Sequence, residues 1–285
     1  KQVVPGNASE SIWDIMARAA LSEAEERALK DYAEDKGLAY LSTPFSRMAA
    51  DRLESMGVQA YKIGSGECNN YPLVDHVAAF GKPMIVSTGM NDLSSIGATV
   101  EILDKRRVPY ALLQCTSMYP TPYDRVQLGA LADLAAAFPR ALLGLSCHSI
   151  GVYTGLGAIP LGARIVEKHF TSDPTWPGPD IPISITPAEL GTLVAGSRAI
   201  FAALGGHKRY LREEKVTADF AYACVVTTQS IRAGERLTVH NCWVKRPGTG
   251  EILAVHYPKL LGRRVTEALC AGQQLEWTHL SPESP

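Results

Sequence analysis

The chain lacks the features that mark several common protein classes. No apolar run approaches the roughly 20 residues that a membrane-spanning helix requires. The opening KQVVPGNASESIWDIM has no positive-then-apolar order, so it does not read as a secretory signal. The net charge is −1, and neither nucleic acid nor an anionic membrane surface is an expected partner. Six cysteines (Cys68, Cys115, Cys147, Cys224, Cys242 and Cys270) are scattered without a CxxC pair, which argues against a zinc knuckle. Reduced, partly buried thiols in a cytoplasmic protein are expected instead. No GxGxxG follows the first apolar run and no GxxxxGK[ST] occurs, so nucleotide-binding α/β folds lose their best signatures. Position 1 is Lys1 rather than Met, in a loop-like stretch, and the natural start is expected upstream.

The first two-thirds of the chain carries short, almost continuously apolar runs: GLAYLST (37–43), AYKIGSG (60–66), PMIVSTG (83–89), YALLQCT (110–116), LLGLSCH (142–148) and RIVEKHF (164–170). Such runs suit parallel strands covered on both faces. Helical spacing fills the gaps, and Ser22 with Glu25 forms a capping box before EERALKDYAEDKG. Alternating strand and helix implies a parallel sheet with right-handed crossovers. An open doubly wound sheet and a closed eight-fold barrel both fit that pattern. Almost every run ends in polar residues, which favours the barrel, because its site is assembled from all strand ends. An open sheet concentrates its ligand at one switch point. Only about six units are visible where a barrel needs eight, so either the barrel is truncated or the sheet is open, and the loop-like start favours a truncated β/α barrel over residues 1–206. A charged connector follows at 207–219, and residues 220–285 read as a small β-rich domain of short runs broken by Ala-Gly and Pro-Gly turns.

The chemistry gathers at the run ends. A single histidine there is more often a hydrogen-bonding residue, but His148 and His169 close successive runs and can equally hold a divalent metal. Lys62 precedes Gly64, Ser65, Gly66 and Glu67. Glycines let backbone N–H groups approach an anion, while the lysine and serine add a charge and a hydroxyl. Thr43, Ser87, Ser117 and Ser146 end other runs, so the mouth is ringed with donors suited to phosphate or carboxylate. Each of these, taken alone, also reads as an ordinary turn residue. Glu67 is the loop's carboxylate, a candidate general base or water-orienting group. Asp180 sits in a rigid PGPD loop, Tyr119 in the proline-stiffened SMYPTPY, and Arg246 in an RPG turn, where a plain surface arginine is the default.

Taken in order, STPFSR (42–47), YKIGSGECNNYPL (61–73), STGM (87–90), QCTSMYPTPY (114–123), GLSCH (144–148), EKHFT (167–171), PGPD (177–180), FAYACVV (220–226) and WVKRPGTG (243–250) resemble the bacterial N-acetylneuraminate (sialic acid) synthase family over essentially the whole chain. The resemblance implies a β/α barrel joined to an antifreeze-like (SAF) domain, in a homodimer with swapped caps. It implies condensation of phosphoenolpyruvate with N-acetylmannosamine, dependent on Mn2+ or Mg2+, releasing sialic acid and phosphate. By motif, His148 and His169 would hold the metal. Lys62, Thr43, Ser65, Ser87, Ser117 and Ser146 would hold phosphoenolpyruvate, with Glu67 as acid/base. Asn7, Tyr119 and Asp180 would meet the sugar, joined by Phe220 and Arg246 of the partner's cap. Family members begin with two further strand-helix units bearing a Glu, an Asn-His pair and a Lys-x-Gln, none of which occurs here. Ser117 stands where bacterial members often have Asn, and Cys147 where many have Asp or Gly. A sibling synthase for legionaminic or pseudaminic acid and a non-catalytic sugar-binding module are the competing expectations.

Overall fold

A computed structural model describes residues 3–6 and 8–282. The chain divides into two compact units, Lys1–Gly205 and Gly206–Pro285.

The first unit opens with helices α1 (Ile12–Ala19), α2 (Glu23–Asp35) and α3 (Arg47–Ser55). The capping box of α2 forms as the sequence predicts: Glu25 N–H donates to Ser22 Oγ, and Glu25 Oε2 accepts from the Ser22 amide at 2.8 Å. Five strands follow, β1 (Tyr61–Ile63), β2 (Met84–Ser87), β3 (Tyr110–Cys115), β4 (Leu142–Cys147) and β5 (Ile165–Lys168). Between and after them lie α4 (Tyr71–Ala78), α5 (Leu93–Arg106), α6 (Ala130–Ala137), α7 (Tyr153–Ala158) and α8 (Pro187–Ala203). All neighbouring strands are parallel, in the unbroken order β1-β2-β3-β4-β5. Every crossover therefore steps the same way, and with the usual right-handed connection the helices fall on one face. A doubly wound sheet would reverse its order part-way.

Alternation then sorts the side chains. Tyr61, Ile63, Met84, Val86, Tyr110 and Leu112 face the helices and form the main core with Leu53, Val74, Val77 and Leu103. Leu145 and Cys147 form a second cluster with Leu131 and Ala158. The opposite face carries Lys62, Ser87, Ser146 and Glu167. Four inter-strand steps of about 4.8 Å would set β1 and β5 about 19 Å apart in a flat sheet. Lys62 of β1 and Glu167 of β5 nevertheless meet at 3.2 Å, so the sheet curls into a half-barrel with its polar face inside.

Two edges differ from expectation. Residues 37–43, predicted as a strand, form no strand; Gly37 closes a turn, Lys62 N–H reaches Ser42 O at a long 3.4 Å, and Leu38 and Leu41 stay exposed. A run that meets the sheet through so little of a ladder is not held as a strand. Beyond β5, Ile185 pairs in parallel with Phe170, its amide reaching His169 O at 2.8 Å, so the sheet extends past its last named strand.

The second unit begins with α9 (Lys215–Ala221), where a charged connector was expected, and contains the antiparallel pair β6 (Cys224–Thr227) and β7 (Cys242–Lys245) and the short α10 (Tyr257–Leu260). Its own core comprises Val225, Ile231, Leu237, Cys242, Ile252, Leu260, Val265, Leu269, Leu275 and Leu280. All six cysteines are free, and only Cys270 is exposed. Among the described residues no helix is long and apolar enough to cross a membrane.

Candidate active site

Lys62 is 8% exposed, so its ammonium must be matched by polar partners. It donates to Ser87 Oγ at 2.8 Å and to the Ile63 carbonyl at 3.1 Å, and pairs with Glu167 Oε2 at 3.2 Å. The other oxygen of Glu167 accepts from Ser146 Oγ at 2.9 Å. Strands β1, β2, β4 and β5 each contribute one member, and the chain of bonds opens at Glu167, whose side chain is 43% exposed.

Beside it, Gly89 marks a tight convergence. Its amide donates to Ser65 Oγ at 3.0 Å, and Asn91 Nδ2 ties the Ser65 and Gly89 carbonyls together at 3.0 and 2.7 Å. A Cβ at Gly89 would lie 2.9 Å from Ser65 Oγ and 3.0 Å from Cys115 Sγ and would also strike Ser117 Oγ. Glycine is thus required for two hydroxyls from different loops to share one spot. Thr43 packs against Gly64, whose added Cβ would lie 3.6 Å from Thr43 Cγ2.

His148 and His169 stand just past β4 and β5 with ring centroids 5.3 Å apart and planes at 65°. Tyr119 lies against both, 4.2 Å from His148 and 5.9 Å from His169. His148 Nδ1 lies 3.0 Å from Thr116 O. A carbonyl can only accept, so in the neutral ring the proton belongs on Nδ1 and Nε2 keeps its lone pair. His169 Nδ1 lies 3.6 Å from Asp180 Oδ2. Burial lowers the His169 pKa and outweighs the pull of Asp180, which favours a neutral ring. Burial acts the same way on His148, but hydrogen bonds to Cys115 and the Thr116 carbonyl reverse the direction and raise its pKa. Burial holds the Tyr119 phenol up to about 12. Among the described residues no third His, Cys, Asp or Glu joins the pair in a metal-holding group. The donor set still fits a divalent cation, with two imidazoles on one mouth, one of them oriented by a carbonyl, and the remaining positions left to water or substrate oxygens.

Residues 2–209 match the profile of the NeuB family. The chain belongs to the NeuB family. Residues 222–281 match the SAF domain. An uncharacterised Methanocaldococcus jannaschii protein is 38% identical over 84% of this chain and 71% of its own length. The N,N'-diacetyllegionaminic acid synthase of Campylobacter jejuni is 35% identical over 90% of this chain and 78% of its own. Among solved structures, the N-acetylneuraminic acid (sialic acid) synthetase of Leptospira borgpetersenii serovar Hardjo-bovis, in complex with citrate, is 32% identical with a TM-score of 0.68 over 72% of each chain.

In this NeuB chain the residues singled out from sequence fall into three groups. Lys62, Ser87 and Ser146 are bonded into one network with Glu167, Ser65 and Ser117 meet at Gly89, and Tyr119 and Asp180 attend the imidazoles. Glu67 follows β1, but its carboxylate accepts from Asn70 Nδ2 at 2.5 Å rather than turning to Lys62. Asn7 lies outside the described residues. Phe220 and Arg246 belong to the second unit and are exposed. The Arg246 turn is held beside Phe220, because Gly248 N–H donates to Asp219 O at 2.9 Å and an added Cβ at Gly248 would lie 2.5 Å from Tyr222 Cβ. Glu167 is the member that sequence reasoning did not single out. Its position two before His169 in one apolar run, and so on the same side of an extended chain, was the available signal.

Proposed function

We propose that this chain is a sialic acid synthase, condensing phosphoenolpyruvate with N-acetylmannosamine to give N-acetylneuraminate and phosphate. The observation that carries the proposal is the buried Lys62 network opening at Glu167, whose charge also acts on His169, beside two adjacent imidazoles. His148 and His169 would hold Mn2+ or Mg2+, which when bound supplies Lewis-acid polarisation of the sugar aldehyde oxygen and activation of water. Lys62, with Thr43, Ser65, Ser87, Ser117 and Ser146, binds the phosphate and carboxylate of phosphoenolpyruvate in a pre-organised cradle. The phosphoenolpyruvate methylene carbon attacks the aldehyde, water adds at the enol carbon, and phosphate leaves by C–O cleavage with the bridging oxygen. Lys62 steadies negative charge through these steps. Glu67 is assigned to acid–base work by its motif, and Glu167 by its position at the mouth. Tyr119 and Asp180, with Asn7, line the sugar side. A second copy of the chain delivers Phe220 and Arg246 in a swapped cytoplasmic homodimer.

A second reading has one specific support: the relative from Campylobacter jejuni is named for legionaminic acid rather than sialic acid. The two sugars differ in hydroxyl and acetamido groups, and so at a few pocket contacts. Side-by-side turnover with N-acetylmannosamine and its deoxy-diacetamido analogue tests the assignment. The expected outcome is higher kcat/KM for N-acetylmannosamine; a reversed preference moves the chain to the sibling synthases.

A further inference from the structure

The inner faces of β4 and β5 lead to the imidazoles, while their outer faces carry a second polar cluster that the proposed reaction does not use. Cys147 and Lys168 are register partners, and each immediately precedes a histidine. Alternation turns both to the other side of the sheet. Cys147 is 3% exposed and Ser149 is fully buried. Lys168 Nζ lies 3.5 Å from Cys147 Sγ and donates to the Ser149 carbonyl. Cys147 Sγ lies 3.2 Å from Ser149 Oγ and 3.1 Å from Thr154 Oγ1, and those hydroxyls are 2.7 Å apart. Thr154 belongs to α7, so the cluster ties the ends of β4 and β5 to the helix between them.

This cluster sits at the edge of an apolar layer where Leu145, Leu131 and Ala158 pack with Cys147. Apolar side chains would fill such a place at lower desolvation cost. What a satisfied polar network adds is a single geometry, since its bonds admit one register and one spacing of the strand ends. The residues so fixed are one peptide unit from His148 and His169, whose rings must stay within a few tenths of an ångström to share a ligand.

We propose that Cys147 and Lys168 are positioning residues for the imidazole pair, holding the two strand ends from behind at the spacing at which both rings can bind one divalent cation. The proposal rests on the assignment of His148 and His169 as the metal-holding pair. Cys147→Val nearly keeps the volume and removes the sulfur that links Lys168 to the two hydroxyls, leaving the ammonium only the Ser149 carbonyl among the described residues, and Cys147→Ser restores an acceptor at that point. Mn2+ binding to each full chain, followed by the paramagnetic resonance of the free ion, should weaken about 10- to 100-fold in the valine variant. It should return to within about threefold of wild type in the serine variant. Unchanged affinity in Cys147→Val, or equal loss in both variants, overturns the proposal. The imidazole NMR signals of His148 and His169 in metal-free protein separate this from a failure of the metal assignment. Should the wild-type chain bind no Mn2+, signals displaced in the valine variant and recovered in the serine variant still support positioning, and unmoved signals overturn it.

Discussion

Lys62 lies in a place that excludes most lysines, and Glu167 is its carboxylate partner there. With Glu167→Gln the ammonium retains Ser87 Oγ and the Ile63 carbonyl but loses its only carboxylate partner among the described residues. Removing the carboxylate leaves a buried ammonium poorly compensated. We expect kcat/KM for phosphoenolpyruvate to fall about 10- to 100-fold, with the N-acetylmannosamine KM far less affected. Steady-state kinetics on both substrates check this, and an effect confined to the sugar would show that Glu167 works on the other half of the site. The histidines and serines are legible in sequence because each ends an apolar run and so announces a strand terminus. Glu167 is not, since it lies inside such a run and a charge there looks like a solvent-facing position until the curl of the sheet brings Lys62 opposite. The orientation of Glu67 toward Asn70 is equally hidden, because spacing places a carboxylate in a loop without saying which way it turns.

At the level of the element, curvature depends on close approach. A Cβ at Gly144 would lie 2.6 Å from the Ile165 carbonyl and would strike Leu113, so β4 can sit between β3 and β5 only with glycine there. Gly144→Ala should destabilise the protein by about 1–3 kcal/mol through overpacking, read as a lower melting temperature with a linear denaturant slope close to wild type. A stability within experimental error of wild type would mean that the sheet has slack at this point. The apolar runs at 60–66, 83–89, 110–116, 142–148 and 164–170 each contain an observed strand because burial on both faces demands continuous apolar sequence. The run at 37–43 has the same texture and forms no strand, because strand formation also needs a paired neighbour, and pairing is a tertiary property that composition does not carry. Ile185 makes the converse point, a sheet partner in the short alternation Ile181-Pro182-Ile183-Ser184-Ile185, whose proline and brevity hide the pairing.

At the level of the whole molecule, a half-barrel gathers its polar side chains on one inner face, and a second unit with its own core presents Phe220 and the Arg246 turn side by side. The NeuB and SAF matches cover these two parts in the same order. The proposed reaction requires the imidazole pair to serve a cation during turnover. The most direct measurement is phosphate release from phosphoenolpyruvate by the wild-type chain and by His169→Ala, each with and without sugar and with Mn2+ or a chelator. Release should require phosphoenolpyruvate, sugar and Mn2+ together and should vanish in the variant. Release in the presence of chelator, or undiminished release by His169→Ala, would contradict it.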